Sequence, residues 1–244
     1  TYWVNSAQLR DTYTPDANTV NEPSINLLSW SHNEAQMEPG RKTETYPGII
    51  FGTSGFPLEL KELTFRLVNR FTKSLSDGRH IVTAGAEVAK VNIDAWLPDS
   101  RDGAFTFTTD TSSLPSSASI GMGFLTNSEE DARAKSAGWT TGLYVQDAWS
   151  VTPQFLLTLG LRWDAELNAL NNDVKSPFAA DPALQAIPML QDFLVNGNRK
   201  NDLNNFAPRM SFSYDLLGNG RTFLRGGAGI MYDRITTFMA FFEK

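Results

Sequence analysis

Gly142-Leu143-Tyr144-Val145-Gln146-Asp147-Ala148-Trp149-Ser150-Val151-Thr152-Pro153-Gln154-Phe155-Leu156-Leu157-Thr158-Leu159-Gly160-Leu161-Arg162-Trp163-Asp164 is the stretch that decides the fold of this chain. Its second half alternates. Phe155, Leu157, Leu159, Leu161 and Trp163 fall on one side of an extended strand, and Leu156, Thr158, Gly160, Arg162 and Asp164 on the other. Successive side chains of a strand point to opposite faces, so this period of two predicts a β-strand with one apolar and one small, polar or charged face. Val151-Thr152-Pro153-Gln154 is a turn, and with residues 139–150 before it the segment reads as a hairpin.

The same unit recurs on either side. Residues 62–74 and 79–93 flank Leu75-Ser76-Asp77-Gly78, and residues 205–215 and 221–234 flank Leu216-Leu217-Gly218-Asn219-Gly220. In 62–73, Leu63, Phe65, Leu67, Asn69 and Phe71 oppose Thr64, Arg66, Val68, Arg70 and Thr72. In 222–233, Thr222, Leu224, Gly226, Ala228, Ile230 and Tyr232 oppose Arg225, Gly227, Gly229 and Asp233. A fourth hairpin, 2–10 with 20–31 about Thr14-Pro15-Asp16-Ala17, brings the expected count to eight strands. The loops between hairpins, 33–60, 94–138 and 166–204, far exceed the ~4–6 residues of an ordinary connection. Within the last, Leu184, Ile187, Leu190 and Leu194 have helical spacing, which predicts a short helix over 181–195.

Tight turns at one end and long loops at the other are the pattern of an antiparallel up-and-down transmembrane β-barrel, with short periplasmic turns and long extracellular loops. Expected strands of about 12–14 residues are longer than the ~5–6 of globular sheets. Trp139, Trp149, Phe155, Trp163, Tyr214 and Tyr232 sit near strand ends, where a membrane interface places amphipathic rings. A soluble β-sandwich would show the same alternation with its apolar faces turned inward, so that alternative stays open. Composition narrows the functions. A net charge of −6 argues against a nucleic-acid partner, and the lack of cysteine excludes disulfides and thiolate metal sites. His32 and His80 fall in different hairpins without a nearby carboxylate pattern, and no GxSxG, P-loop or zinc spacing occurs. The chain is therefore read as no enzyme, with no cofactor and no metal site. Glu129-Glu130-Asp131 reads as a solvated loop segment, with Ca²⁺ binding as the sharper alternative.

Four segments taken in order carry a resemblance: Gly142 to Trp149, Leu157 to Asp164, Asn205-Phe206-Ala207-Pro208-Arg209, and Leu224-Arg225-Gly226-Gly227-Ala228-Gly229-Ile230-Met231-Tyr232-Asp233. Together they resemble the barrel of TonB-dependent outer-membrane receptors, in particular the Oar-like group with a carboxypeptidase-regulatory-like N-terminal domain. The resemblance covers roughly residues 63–233. It implies a bacterial outer-membrane protein among lipid, which binds an extracellular ligand at its loops and imports it with TonB-derived energy through a plug domain in the lumen. Metal chelates, vitamins, oligosaccharides and peptides are the ligand classes of the family. No plug, TonB box or regulatory-like domain is recognisable, and such receptors need about 22 strands. Residues 1–244 are accordingly expected to be an internal piece of the barrel domain.

Two sets of residues become candidates. Tyr46, Phe51, Phe56, Trp96, Phe105, Phe107 and Phe124 lie in the long loops, where exposed rings could stack on a ligand; packing of the loops against each other is the competing reading. Arg66, Arg70, Glu87, Arg162, Asp164, Arg225 and Asp233 are expected on the lumen face, where opposite charges can pair away from lipid. The chief alternative function is adhesive or structural: a small outer-membrane barrel or surface β-protein whose loops hold a partner.

Overall fold

The structure is a computed structural model that describes residues 1–34, 42–52, 58–76, 78–97, 102–119, 132–169, 171–172, 174–175, 179–194, 196–197 and 199–234. A single antiparallel sheet dominates it. Its long strands are β1 (Tyr2–Arg10), β3 (Thr19–Glu34), β6 (Leu58–Leu75), β7 (His80–Trp96), β10 (Arg133–Thr152), β11 (Phe155–Leu167), β12 (Asp202–Asp215) and β13 (Phe223–Gly229), each paired with its neighbours in that order. The expected eight strands and their hairpin order are all present. A short strand, β2 (Tyr13–Asp16), completes the first hairpin against β3. Among the described residues β1 and β13 each have one neighbour in this order, so the sheet is an open, partial barrel.

The faces divide as the alternation predicts. Leu63, Leu67, Leu143, Leu159, Met210 and Leu224 share one face and remain 39–52 % exposed, so among the described residues no apolar layer covers them. A sandwich would have buried this face. No helix among the described residues is long and apolar enough to cross a membrane, which leaves crossing by strands untouched. On the outward face Trp149, Phe155, Phe212 and Tyr214 gather at the turn end, with Phe155 6.1 Å from Tyr214 and 6.2 Å from Phe212. At the loop end stand Trp139 and Trp163, whose Nε1 donates to the Leu203 carbonyl at 2.8 Å. His80 and Asp147 also face outward near the turns. Their side chains meet at 2.7 Å, and His80 stacks on Trp149 at 5.4 Å. This corrects the reading of His80 as a histidine without a carboxylate: cross-strand register supplied a partner 67 positions away.

Strand lengths depart from expectation at the loop end. β6, β7 and β10 run 18, 17 and 20 residues. From His80 to Lys90 the strand covers about 33 Å, which at a tilt of about 40° rises about 25 Å, the height of an apolar barrel band. Beyond Lys90 the outward face turns charged, with Lys61, Asp94 and Lys135 in one register row and Glu59, Trp96 and Arg133 in the next. The strands therefore continue past the membrane as a collar. Its inner side holds the small core of Leu60, Ile93, Ala95 and Ala134, against which Trp30, Leu58, Val91 and Leu97 pack.

Two prolines set strand ends. The Pro23 carbonyl accepts from the Asp11 N–H at 3.0 Å, so its missing N–H would also have pointed towards the first strand. There the pairing with β3 is interrupted between β1 and β2 without a change of register; the register shift falls nearer the turn, between Tyr13 and Asp16, and the turn is Ala17-Asn18 rather than the expected Thr14–Ala17. Asp16 closes that turn. Its carboxylate accepts from the Asn18 N–H at 2.8 Å and the Thr19 hydroxyl at 3.0 Å, contacts that hold its pKa below the ordinary value. Pro208 does the same to the last strand. Its carbonyl accepts from the Ile230 N–H at 3.0 Å, and it has no donor to return. β13 stops at Gly229 rather than running to Arg234 as expected, and residues 230–234 lie outside the regular strand.

The described parts of the loops carry regular structure of their own. β4 (Thr43–Thr45), β5 (Ile50–Phe51), β8 (Ala104–Thr106) and β9 (Ser117–Ser119) form a second, four-stranded sheet in which β4 and β8 are parallel, joining the first two long loops. In the third, α1 (Pro182–Gln185) is followed by a 3-10 turn, Pro188–Phe193. The single helix expected over 181–195 is thus split at Pro188, whose ring cannot sit inside a helix.

Candidate functional site

The lumen face is built from the other half of each alternation. Register places Glu87 of β7, Gly142 of β10 and Asp164 of β11 in one row. Three cations surround the two acids. Arg66 Nε lies 3.6 Å from Glu87, Arg162 makes a bidentate contact to Asp164 with both bonds at 2.7 Å, and Arg234 reaches both acids at 3.6 Å. One row set away, Glu22 is shared by Arg10 and Arg70, the latter at 3.9 Å. The predicted residues Arg66, Arg70, Glu87, Arg162 and Asp164 are therefore brought onto one wall. Arg225 stands on the same face near the edge, its guanidinium 5.1 Å from the Phe223 ring, while Asp233 lies beyond β13 and accepts from the Arg234 N–H at 2.9 Å. Sequence reasoning missed Arg10, Glu22 and Arg234. The first two share the parity of Ser24 and Asn26 along their hairpin, a signal that could have found them; Arg234 could not be found, because it reaches the wall only where β13 ends early.

Glycines give this wall its shape. Gly85, Gly142, Gly160, Gly227 and Gly229 all face the lumen. A Cβ on Gly85 would overlap the Tyr144 ring, which lies flat across it. A Cβ on Gly142 would meet the Arg162 guanidinium and come within 2.9 Å of Asp164 Oδ1. Arg162 in turn lies 6.0 Å from the Tyr144 ring. Among the described residues these large side chains are laid over the glycines, along the wall.

At the other end of the strands the loop aromatics meet one another. Tyr46 stacks on Phe107 at 4.2 Å with an interplanar angle of 5°, and Phe51 meets Tyr46 edge-on at 5.9 Å. Phe107 is buried, whereas Phe51 is exposed. Lys42 Nζ lies 5.4 Å over Phe105 and 2.6 Å from Glu44, a contact that raises its pKa. Backbone bonds from Thr43 to the Gly103 carbonyl and from Phe107 to the Thr45 carbonyl hold the two loops together. Trp96 is apart from this cluster, on the outward side of the collar between Glu59 and Arg133. Phe56, Phe124 and the acidic run 129–131 lie outside the described residues. Among the described residues no group of three or more His, Cys, Asp or Glu is placed to hold a metal ion.

With an apolar outward band, a charged lumen wall and loops gathered at one end, the architecture agrees with the family whose sequence model matches residues 2–242: outer membrane beta barrel domain. The chain belongs to this family. The outer-membrane β-barrel domain is thus inserted in the bacterial outer membrane, with its apolar band among lipid. Among solved structures it is similar to the ferric citrate transporter FecA in the unliganded form, with 11 % identity and a TM-score of 0.49 over 93 % of this chain and 27 % of that one. It is also similar to the ferric-catecholate import receptor Fiu of E. coli K12 in an open form, with 14 % identity and a TM-score of 0.43 over 88 % and 33 %. The chain therefore spans about a third or less of either structure's length. A search of curated proteins gives no match.

Proposed function

We propose that this barrel domain is part of an outer-membrane receptor of the TonB-dependent, Oar-like type, which captures a ligand at its extracellular loops and imports it with energy delivered through a plug domain in the lumen. The observation that carries this reading is the levelled lumen wall. In a small barrel the interior is filled by the wall's own side chains. Here Tyr144 and Arg162 lie down over Gly85 and Gly142, an arrangement that leaves room for a separate body, and strand glycines mark places where another backbone approaches closely. The loop cluster of Tyr46, Phe51 and Phe107, on two loops pinned by parallel strands, is a scaffold on which the exposed edge of Phe51 and the Lys42–Phe105 pair can meet a ligand. The sequence motifs between 142 and 233 supply the Oar-like assignment.

The reading is tested in the native host by comparing a deletion of this gene with a deletion of the TonB gene across a panel of scarce nutrients supplied as sole source. A shared growth defect, restored by the intact gene only when TonB is present, is the expected result. Normal uptake in the deletion strain together with lost attachment to surfaces or cells would replace import with the adhesive role.

A further inference from the structure

The last strand stops before its sequence pattern does. The alternation over residues 222–233 continues past Gly229, with Ile230 and Tyr232 on the parity of Leu224 and Ala228, yet β13 ends at Gly229. Its neighbour runs further. β12 begins at Asp202 but pairs with β13 only from Arg209 onward, so among the described residues no strand covers that edge over 202–207. Residues 231–234 turn to the lumen side instead. They face the wall residues Arg162, Asp164, Asn205 and Arg209 across a cavity of about 180 Å³. Arg234 fixes the crossing. Its guanidinium lies 3.6 Å from Asp164 of β11 and 3.6 Å from Glu87 of β7, so the segment passes over β12.

The uncovered edge fits the same residues. The Ile230 N–H donates to the Pro208 carbonyl at 3.0 Å, which keeps the register one residue past the strand. Continued, that register sets Tyr232 opposite Phe206 and Arg234 opposite Asn204. Ile230 and Pro208 form a hydrogen-bonded position, and such positions recur at every second residue of an antiparallel pair. Phe206 with Tyr232, and Asn204 with Arg234, would then exchange backbone bonds. Tyr232 would stand outward beside Phe206, in the row that already holds Trp163. That is the interfacial place its position in the sequence predicts. Against this stand two ion pairs at 3.6 Å, made by an arginine whose side chain is 38 % exposed, contacts that hold weakly. The competing backbone bonds are individually small too, and Pro208 withholds one of them.

We propose that residues 230–234 are a strap with two seats. Latched, Arg234 sits between Glu87 and Asp164 and the chain lies over the lumen side of β12. Extended, the same residues lengthen β13 along β12. Tyr232 enters the aromatic row, and Arg234, which shares its parity, leaves the lumen. The exchange alters the wall. Glu87 keeps Arg66 and Asp164 keeps Arg162, but the cation they share is withdrawn. Asp233 comes opposite Asn205, in the row of Asp164 and Glu87. One movement thus takes the strap out of the lumen along β11 and β12 and makes that wall less positive. The strap is a gate on this side of the barrel, and whatever screens or replaces Arg234 opens it.

The experiment uses a disulfide as the reporter of the extended seat, in a chain without cysteine of its own. Phe206→Cys with Tyr232→Cys places two thiols opposite each other in that seat alone, within bonding reach. The full chain is assembled in the outer membrane and oxidised, and the rate of cross-linking is followed. The rate is expected to be low with the latch intact. Arg234→Gln, or Glu87→Gln together with Asp164→Asn, is expected to raise it about tenfold, from the loss of two ion pairs. Salt at about 1 M, which screens those pairs, should accelerate the intact latch without any further substitution. Tyr214→Cys with Leu224→Cys, already paired across β12 and β13, is expected to close at one rate in every background, which shows that the sheet has formed. Cross-linking of 206 to 232 at one rate with and without Arg234, and at low and high salt, overturns the latch. No cross-linking in any background overturns the extended seat.

Discussion

Gly85 and Tyr144 show how single residues shape the lumen wall. They face each other across β7 and β10, and the ring occupies the space a side chain at position 85 would need. Gly85→Ala is expected to destabilise the barrel by about 1–3 kcal/mol, the usual cost of overpacking. Urea unfolding in detergent measures it, and a second change, Tyr144→Ala, should recover much of the loss; a fully additive double variant would mean the two do not touch. At this scale the sequence was partly transparent. The parity of Arg66, Arg70, Arg162 and Asp164 put each on the lumen side without any structure. Which acid meets which guanidinium was hidden, because Glu87 and Arg66 are brought together by the register of separate strands. The His80–Asp147 pair was hidden for the same reason.

At the scale of the strand, face decides tolerance. Leu143, outward and 50 % exposed, and Gln146, lumen-facing, lie three positions apart on β10. An arginine at 143 is expected to cost about 2–4 kcal/mol near the bilayer midplane, and one at 146 little. Heat-modifiable gel migration of the assembled variants gives the comparison; equal assembly of both would contradict the assignment of faces. Period-two alternation made the middles of strands legible, but not their ends. In the collar the faces exchange character, charged outward at Glu59 and Lys61 and apolar inward at Leu60, so the alternation seen below is lost while hydrogen bonding continues. Pro208 ends β13 by withholding one donor. Pro208→Ala supplies that N–H, and hydrogen exchange should then show slower exchange at residues 230–232, with unchanged rates counting against the proline as the cause.

Over the whole molecule, turns and loops lie at opposite ends of every long strand, and this polarity fixes orientation. The chain has no cysteine, so single introduced thiols report cleanly. A membrane-impermeant maleimide should label Ser117→Cys, exposed in β9, on intact cells, and should reach Asn219→Cys, in the last turn, only after the membrane is opened. The reverse pattern would invert the barrel. Topology at this level was readable from hairpin spacing alone. The second sheet was not: its strands are two or three residues long, and their pairing joins loops far apart in sequence. The Phe105-Thr106-Phe107-Thr108 alternation was the faint trace it left.

The strands outrun the bilayer by some six residues beyond Lys90, about 20 Å of backbone and about 15 Å of height. What a living cell shows its surroundings is then a hydrogen-bonded wall of fixed shape as well as changeable loop tips. Antibodies that grip Trp96, Arg133 and their neighbours would meet an epitope that cannot fold away, and cells carrying this protein should be recognisable through it.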